Sequence, residues 1–211
     1  MGTTMTMNRV IHAAVRRDLD RLESALADFP EGDAARAAAL QRAYGELRHQ
    51  LHHHHVGEDT HIWPMLAGFG VDAGLLSAME SEHHAMAESL TSVTTAVDAL
   101  AGDPSAERAA TARVRVADAR EVIDQHLTHE ENDLEPVLLP YLDTPEWHET
   151  EKKLRSAPPR VAGEFFAWLQ DGMEPEHRAF LRQSVPRPVT FVLTRVLGRR
   201  YHREVAPTWR A

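Results

Sequence analysis

A chain of 211 residues with 43% hydrophobic and 26% charged content carries enough apolar side chain for one domain with a sizeable core, or for one domain with an appended lobe. It contains no Cys, which excludes disulfides, thiolate zinc sites, iron–sulfur clusters and a Cys nucleophile, so any metal must be held by nitrogen and oxygen. The net charge of -9 is split: residues 1–177 hold 15 Lys/Arg against 31 Asp/Glu, whereas from Arg178 onward there are 8 Arg and only Glu204, so a basic tail is expected to dock on an acidic front half.

The opening MGTTMTMNRV lacks a basic region followed by an apolar run, and no apolar stretch approaches about 18 residues, so a cytoplasmic protein with no membrane segment is expected. MGTTMT also fits the loose N-myristoylation pattern, but nothing else in the chain points to a membrane. Asn8 can cap a first helix, in which Val10, Ile11, Val15, Leu19, Leu22 and Leu26 fall at helical spacing until Phe29-Pro30-Glu31-Gly32 breaks it. His12 shares that apolar face.

Asp33 caps a second helix that runs through Leu40, Tyr44, Leu47 and Leu51 into His54 and Glu58 and ends near Pro64. His52 to His55 are spread about 100° apart around a helix, so only one or two can face inward. The register with Leu47 and Leu51 selects His54 and Glu58, and leaves His52, His53 and His55 toward solvent or around the ligands. A third helix from Asp72 to Leu100 carries Leu76, Met79, His83, Met86, Leu90, Val93 and Val97 on one face, with His84 as the rival to His83 and Glu80 as a possible further ligand paired with either. A fourth begins at Pro104, where proline is tolerated, and runs through Val116, Ile123 and His126 to Glu130, stopping around Pro136 to Pro140. The expected architecture is all-α: an up-down-up-down four-helix bundle over residues 1–142, with extra C-terminal helices over 143–211 packed on it. Those helices are expected at 145–154, around 161–169, at 175–181 and along the stripe Val189, Val192, Leu193, Val196 and Leu197 among Arg195, Arg199, Arg200 and Arg203. Such a basic amphipathic stripe suits packing on its own domain better than a membrane or nucleic acid.

The chain carries one device twice. With a shift of 72, His54, Glu58, Asp59, Pro64 and Leu66 match His126, Glu130, Glu131, Pro136 and Leu138. A His and a Glu four apart on a helix differ by about 40° of rotation and roughly 6 Å of rise, so both project from one face and can hold a metal between them. His12 and His83 repeat with a shift of 71, each followed by the same apolar spacing. Six polar groups in an apolar bundle core would cost several kcal/mol unless something satisfies them, and a pair of metal ions held by nitrogen and carboxylate oxygen does so. Around them, His61 follows Glu58 by three on the same inner face, Asp59 and Glu131 are placed to accept from ligand N–H groups, and Tyr44 could reach a metal-bound oxygen.

His12, the stretch His54-His55 to Glu58-Asp59 with Trp63-Pro64, Glu82-His83, and His126 with Glu130-Glu131 together resemble a hemerythrin-like domain of the HHE cation-binding type, over about residues 8–140. The resemblance implies a four-helix bundle with a non-haem di-iron centre, two Fe ions with manganese or zinc as alternatives. It makes His12, His54, His83 and His126 terminal ligands and Glu58 and Glu130 bridges. It also implies binding of, or reaction with, O2, H2O2 or NO. Oxygen-carrying hemerythrins have a second His four residues after the third-helix ligand; here that place is Ala87, which implies one imidazole fewer and turns the expectation from oxygen carriage toward reaction, sensing or iron handling. The alternatives are a di-iron oxidase or oxygenase acting on a small organic substrate, and a non-catalytic metal-binding module. A monomer or homodimer without nucleic-acid partners is expected.

Overall fold

Four short polar side chains start the four long helices. Thr6, Asp33, Asp72 and Ser105 each accept the backbone N–H three residues on, so each satisfies one of the donors that a helix start leaves bare. In the computed structural model, which describes residues 4–210, these helices are α1 (Met7–Ala27), α2 (Ala34–Gly57), α4 (Ala73–Gly102) and α5 (Ala106–His129), with the short α3 (Trp63–Gly68) between α2 and α4. Gly2 of the MGTTMT pattern lies outside the described residues. Asn8 is not the first cap: it lies inside α1, and its amide donates to Glu130 Oε1 at 3.1 Å, while Thr6 supplies the capping oxygen. Pro104 precedes the fourth helix, whose cap is Ser105.

The long helices close a ring in which α1 meets α2 and α5, and α4 meets α2 and α5. No strand occurs among the described residues, and none of their helices is long and apolar enough to cross a membrane. Gly32, at φ 80°, makes the tight turn from α1 to α2 that a side chain would strain. The interior is divided in two. A main cluster built on Val15, Leu19, Leu22, Leu40, Leu47, Leu51, Val97, Leu100, Val116 and Ile123 fills most of the length. A small one of Trp63, Leu66, Leu76, Met79 and Leu134 closes one end. Because neighbouring helices run antiparallel, that end gathers the start of α1, the end of α2, the first part of α4 and the end of α5.

At this end α2 and α5 each widen into a π-turn, Glu58–Ile62 and Glu130–Leu134, before α3 and α6 (Glu135–Leu138). The Trp63 N–H reaches back five residues to the Glu58 carbonyl, and the Glu135 N–H to the Glu130 carbonyl. Each π-turn lies just before a proline, Pro64 or Pro136, which has no N–H to donate and whose ring crowds the carbonyl four residues back, so the ladder opens there.

The C-terminal residues form α7 (Pro145–Leu154), α8 (Pro159–Gln170), α9 (Pro175–Ser184), α10 (Arg187–Phe191), a third π-turn (Val192–Leu197) and α11 (Arg199–Glu204). α7 lies against the first π-turn and α3. The remainder sits on α1 and α2: Trp168 Nε1 donates to the buried Asp18 at 2.8 Å, Arg36 to the Thr208 carbonyl at 2.7 Å, and Arg200 to Glu46 at 2.6 Å. Gly163 and Gly198 let α8 and the third π-turn touch backbone to backbone, since a Cβ on Gly163 would lie 2.4 Å from Leu197 Cβ. The stripe read from the sequence packs only in part: Leu193 and Leu197 are half-buried, Leu197 against Gly163 of α8, whereas Val189, Val192 and Val196 are exposed.

Candidate metal centre

Between the two apolar clusters lies a layer of buried nitrogen and oxygen. His12 enters it from α1, His54 and His55 from the last turn of α2, His83 from α4 and His126 from α5, while Glu58 and Glu130 enter from the first residue of each π-turn. His12 Nε2 stands 3.2 Å from His54 Nε2 and 3.1 Å from Glu130 Oε2. His83 Nε2 stands 3.2 Å from His126 Nε2. Glu58 spans the two pairs, with Oε1 at 3.2 Å from His54 Nε2 and Oε2 at 3.6 Å from His83 Nε2, and Glu130 Oε2 lies 3.9 Å from His126 Nε2.

Three of the rings are held from behind. His12 Nδ1 donates to Glu131, His83 Nδ1 to Asp59 and His126 Nδ1 to Glu82, each at 2.8 Å. A carboxylate only accepts, so each of these bonds keeps the ring proton on Nδ1 and turns a lone pair on Nε2 toward the centre. Asp59 and Glu131 are thus the acceptors behind the His83 and His12 rings. Glu82, which also accepts from His129 at 2.7 Å, was not singled out as a partner.

His55 corrects the sequence reading most. Instead of facing solvent it is buried, its ring stacks on His83 at 4.1 Å between centroids, and its ligating nitrogen lies within 4.8 Å of those of His83 and His126. It supplies the fifth imidazole whose expected place is Ala87. His12, His54 and Glu130 form a second set at the same spacing, and His54, His55 and Glu58 a third. His83 is buried and His84 exposed. Glu80 is exposed as well, outside the layer. His61 is half-exposed, lies within the first π-turn, whose wider winding changes the register read from a straight helix, and belongs to none of these sets. Tyr44 is buried in the main core with its hydroxyl bonded to the Leu90 carbonyl and Thr94.

The charges in the layer do not balance by themselves. Burial, with the neighbouring Glu130 carboxylate, pushes Glu58 well above the usual carboxylate range. Burial would raise Glu130 too, but His12, His54 and His126 hold it down to about 2. Burial and nearby imidazoles, His12 first, lower His54 to about 3; burial and His54 likewise lower His55 well below its ordinary value. His12 moves up: burial opposes its charge, and Glu130 and Glu131 outweigh it. His55 Nε2, Glu58 Oε2 and Glu130 Oε2 are buried with no hydrogen-bond partner. Each such atom costs about 1–3 kcal/mol in the protein alone.

A cation fits all of these features. Two imidazole nitrogens bound to one ion at about 2.0–2.1 Å lie roughly 3.0–3.4 Å apart, which matches the two 3.2 Å Nε2 pairs. The donor set, imidazole and carboxylate without sulfur, suits iron, manganese or zinc. Over residues 7–138 the sequence matches the family model described as the hemerythrin HHE cation binding domain. No curated protein and no solved structure matches the chain significantly.

Proposed function

The chain belongs to the hemerythrin HHE cation-binding family, and we propose that it is a non-haem di-iron protein that binds or reacts with O2, H2O2 or NO. His55, His83 and His126 would hold one iron, His12 and His54 the other, and Glu58 and Glu130 would lie between them. One observation carries this reading: two pairs of Nε2 lone pairs face each other at 3.2 Å, joined by a glutamate that reaches both. When bound, two ferrous ions supply the electrons that a diatomic or peroxide takes up. The chain's own part is to orient and to exclude. Asp59, Glu82 and Glu131 fix three rings by their Nδ1 protons, while Leu51, Met86 and Ile123 on one side and Trp63 and Met79 on the other keep bulk water from the layer. Residues 1–142 would form the metal-binding unit and 143–211 an appended lobe.

Cavities of about 620 and 450 Å³ are lined by none of the seven side chains, so neither is an organic-substrate pocket beside them. The test is iron content followed by an anaerobic ferrous spectrum before and after addition of oxygen, peroxide and nitric oxide. About two irons per chain and a spectrum that responds to at least one of the three are expected. Fewer than one iron per chain after iron-replete expression would remove the proposal.

A further inference from the structure

The C-terminal lobe contains an open cleft of about 620 Å³ lined by Arg178, Arg182, Arg187, Arg195 and Arg210, with Asp171 its one carboxylate. That carboxylate is already engaged by the Tyr201 hydroxyl at 3.1 Å and lies 3.5 Å from Arg21 and 3.8 Å from Arg210. Among the described residues, Arg178, Arg182, Arg187 and Arg195 have no carboxylate within ion-pair distance, and Arg178 bonds only the Met173 carbonyl, at 3.1 Å. Guanidinium groups gathered around one hollow repel one another, and their planar forks match phosphate oxygens two at a time. The hollow has the size of a small-molecule site. Phe191, 63% exposed on its wall, offers a flat apolar face beside the charges.

We propose that this cleft binds a small organic phosphate carrying two or more negative charges, of nucleotide size, with the arginines on its phosphates and Phe191 against its less polar part. A concave wall with charge on several helices favours a discrete molecule over a flat lipid surface. The exposed Val189, Val192 and Val196 nearby make anionic lipid the source to be set against it. The site stands on residues other than the metal ligands, so it survives or fails separately from the di-iron reading.

Calorimetric titration of the full-length, metal-loaded protein with inorganic pyrophosphate and with ATP tests it, beside sedimentation with phosphatidylserine vesicles. Saturable binding at one site, weakening as salt rises, is expected, with the iron spectrum unchanged. Each charged hydrogen bond removed costs about tenfold in affinity or more, so R182Q/R195Q should bind about 100-fold more weakly while keeping its helicity and iron content. No binding of either phosphate overturns the proposal. So does undiminished binding by the double variant, which would put the phosphate elsewhere, and so does binding to vesicles alone.

Discussion

The two ends of the bundle are built from the same four helices and are held by different means. At the far end, Leu22, Leu40, Val97, Leu100, Ala112 and Val116 are buried together in one apolar cluster, and burial of that surface stabilises it. At the ligand end, five imidazoles and two carboxylates interrupt the apolar interior, and beyond them lie Trp63, Leu66, Leu76, Met79 and Leu134 with half-buried neighbours such as Ile62 and Leu138. His55 Nε2, Glu58 Oε2 and Glu130 Oε2 are left there without a partner. The difference teaches that one end is folded by its own side chains and the other is completed by what it binds.

Substitutions that break the comparison have the largest effects. His126→Ala and His55→Ala should each strip bound metal, measured as iron per chain, whereas His52→Ala, on an exposed position one residue from the second apolar anchor Leu51, should leave it unchanged. Equal loss in all three would mean that the inward face has been misassigned. Acid should separate the ends as well. His54 has a folded pKa lowered from 6.5 to about 3, so the stability it contributes is present above 6.5 and is lost as the pH falls toward 3. In metal-free protein, hydrogen exchange over that pH window should rise first at residues 54–66 and 126–138 and only later in the far half. Leu22→Ala is the converse change. It should cost about 2–5 kcal/mol in urea denaturation while iron content stays at its wild-type value.

Much of this contrast is legible in the sequence, for reasons that also explain what is not. The far end follows from apolar spacing alone, and Asp33 announces its helix because a cap depends only on residues within one turn. The six paired candidate ligands are legible because the chain states them twice. His55 is not, because helical spacing describes a narrow stripe along a straight helix, whereas the buried layer takes side chains over a wider arc, His54 beside His12 and Glu130 and His55 beside His83 and His126. The signal was present in Pro64 and Pro136, two equivalent interruptions just past the ligand glutamates, which mark where the helix must widen. Glu82 and the contacts of the C-terminal lobe depend on which helices become neighbours, and no local pattern carries that.

A finer comparison lies within the ligand end, between the groups that would touch metal and those that hold them. Asp59→Asn keeps the shape of the side chain that accepts from His83 Nδ1 but removes the charge that fixes the ring proton there. Loss of such an outer partner costs about 10–100-fold in metal affinity, so the variant should still load iron at saturation and lose it faster to a chelator. Loss as complete as in His126→Ala would mean that Asp59 binds metal directly.

The smallest effect is expected at the seam between the far end and the lobe. Asp18 is 1% exposed and receives Trp168 Nε1 at 2.8 Å on one oxygen and Arg17 at 2.9 Å on the other. Trp168→Phe keeps most of the ring but leaves Asp18 Oδ2 without its donor, a loss of about 1–2 kcal/mol that thermal unfolding should report. The far end carries its own core, so metal content should not follow. If iron is lost together with the seam, the lobe stabilises the ligand end through α1, Asp18 lying only six positions after His12, and the two ends are less independent than their packing implies.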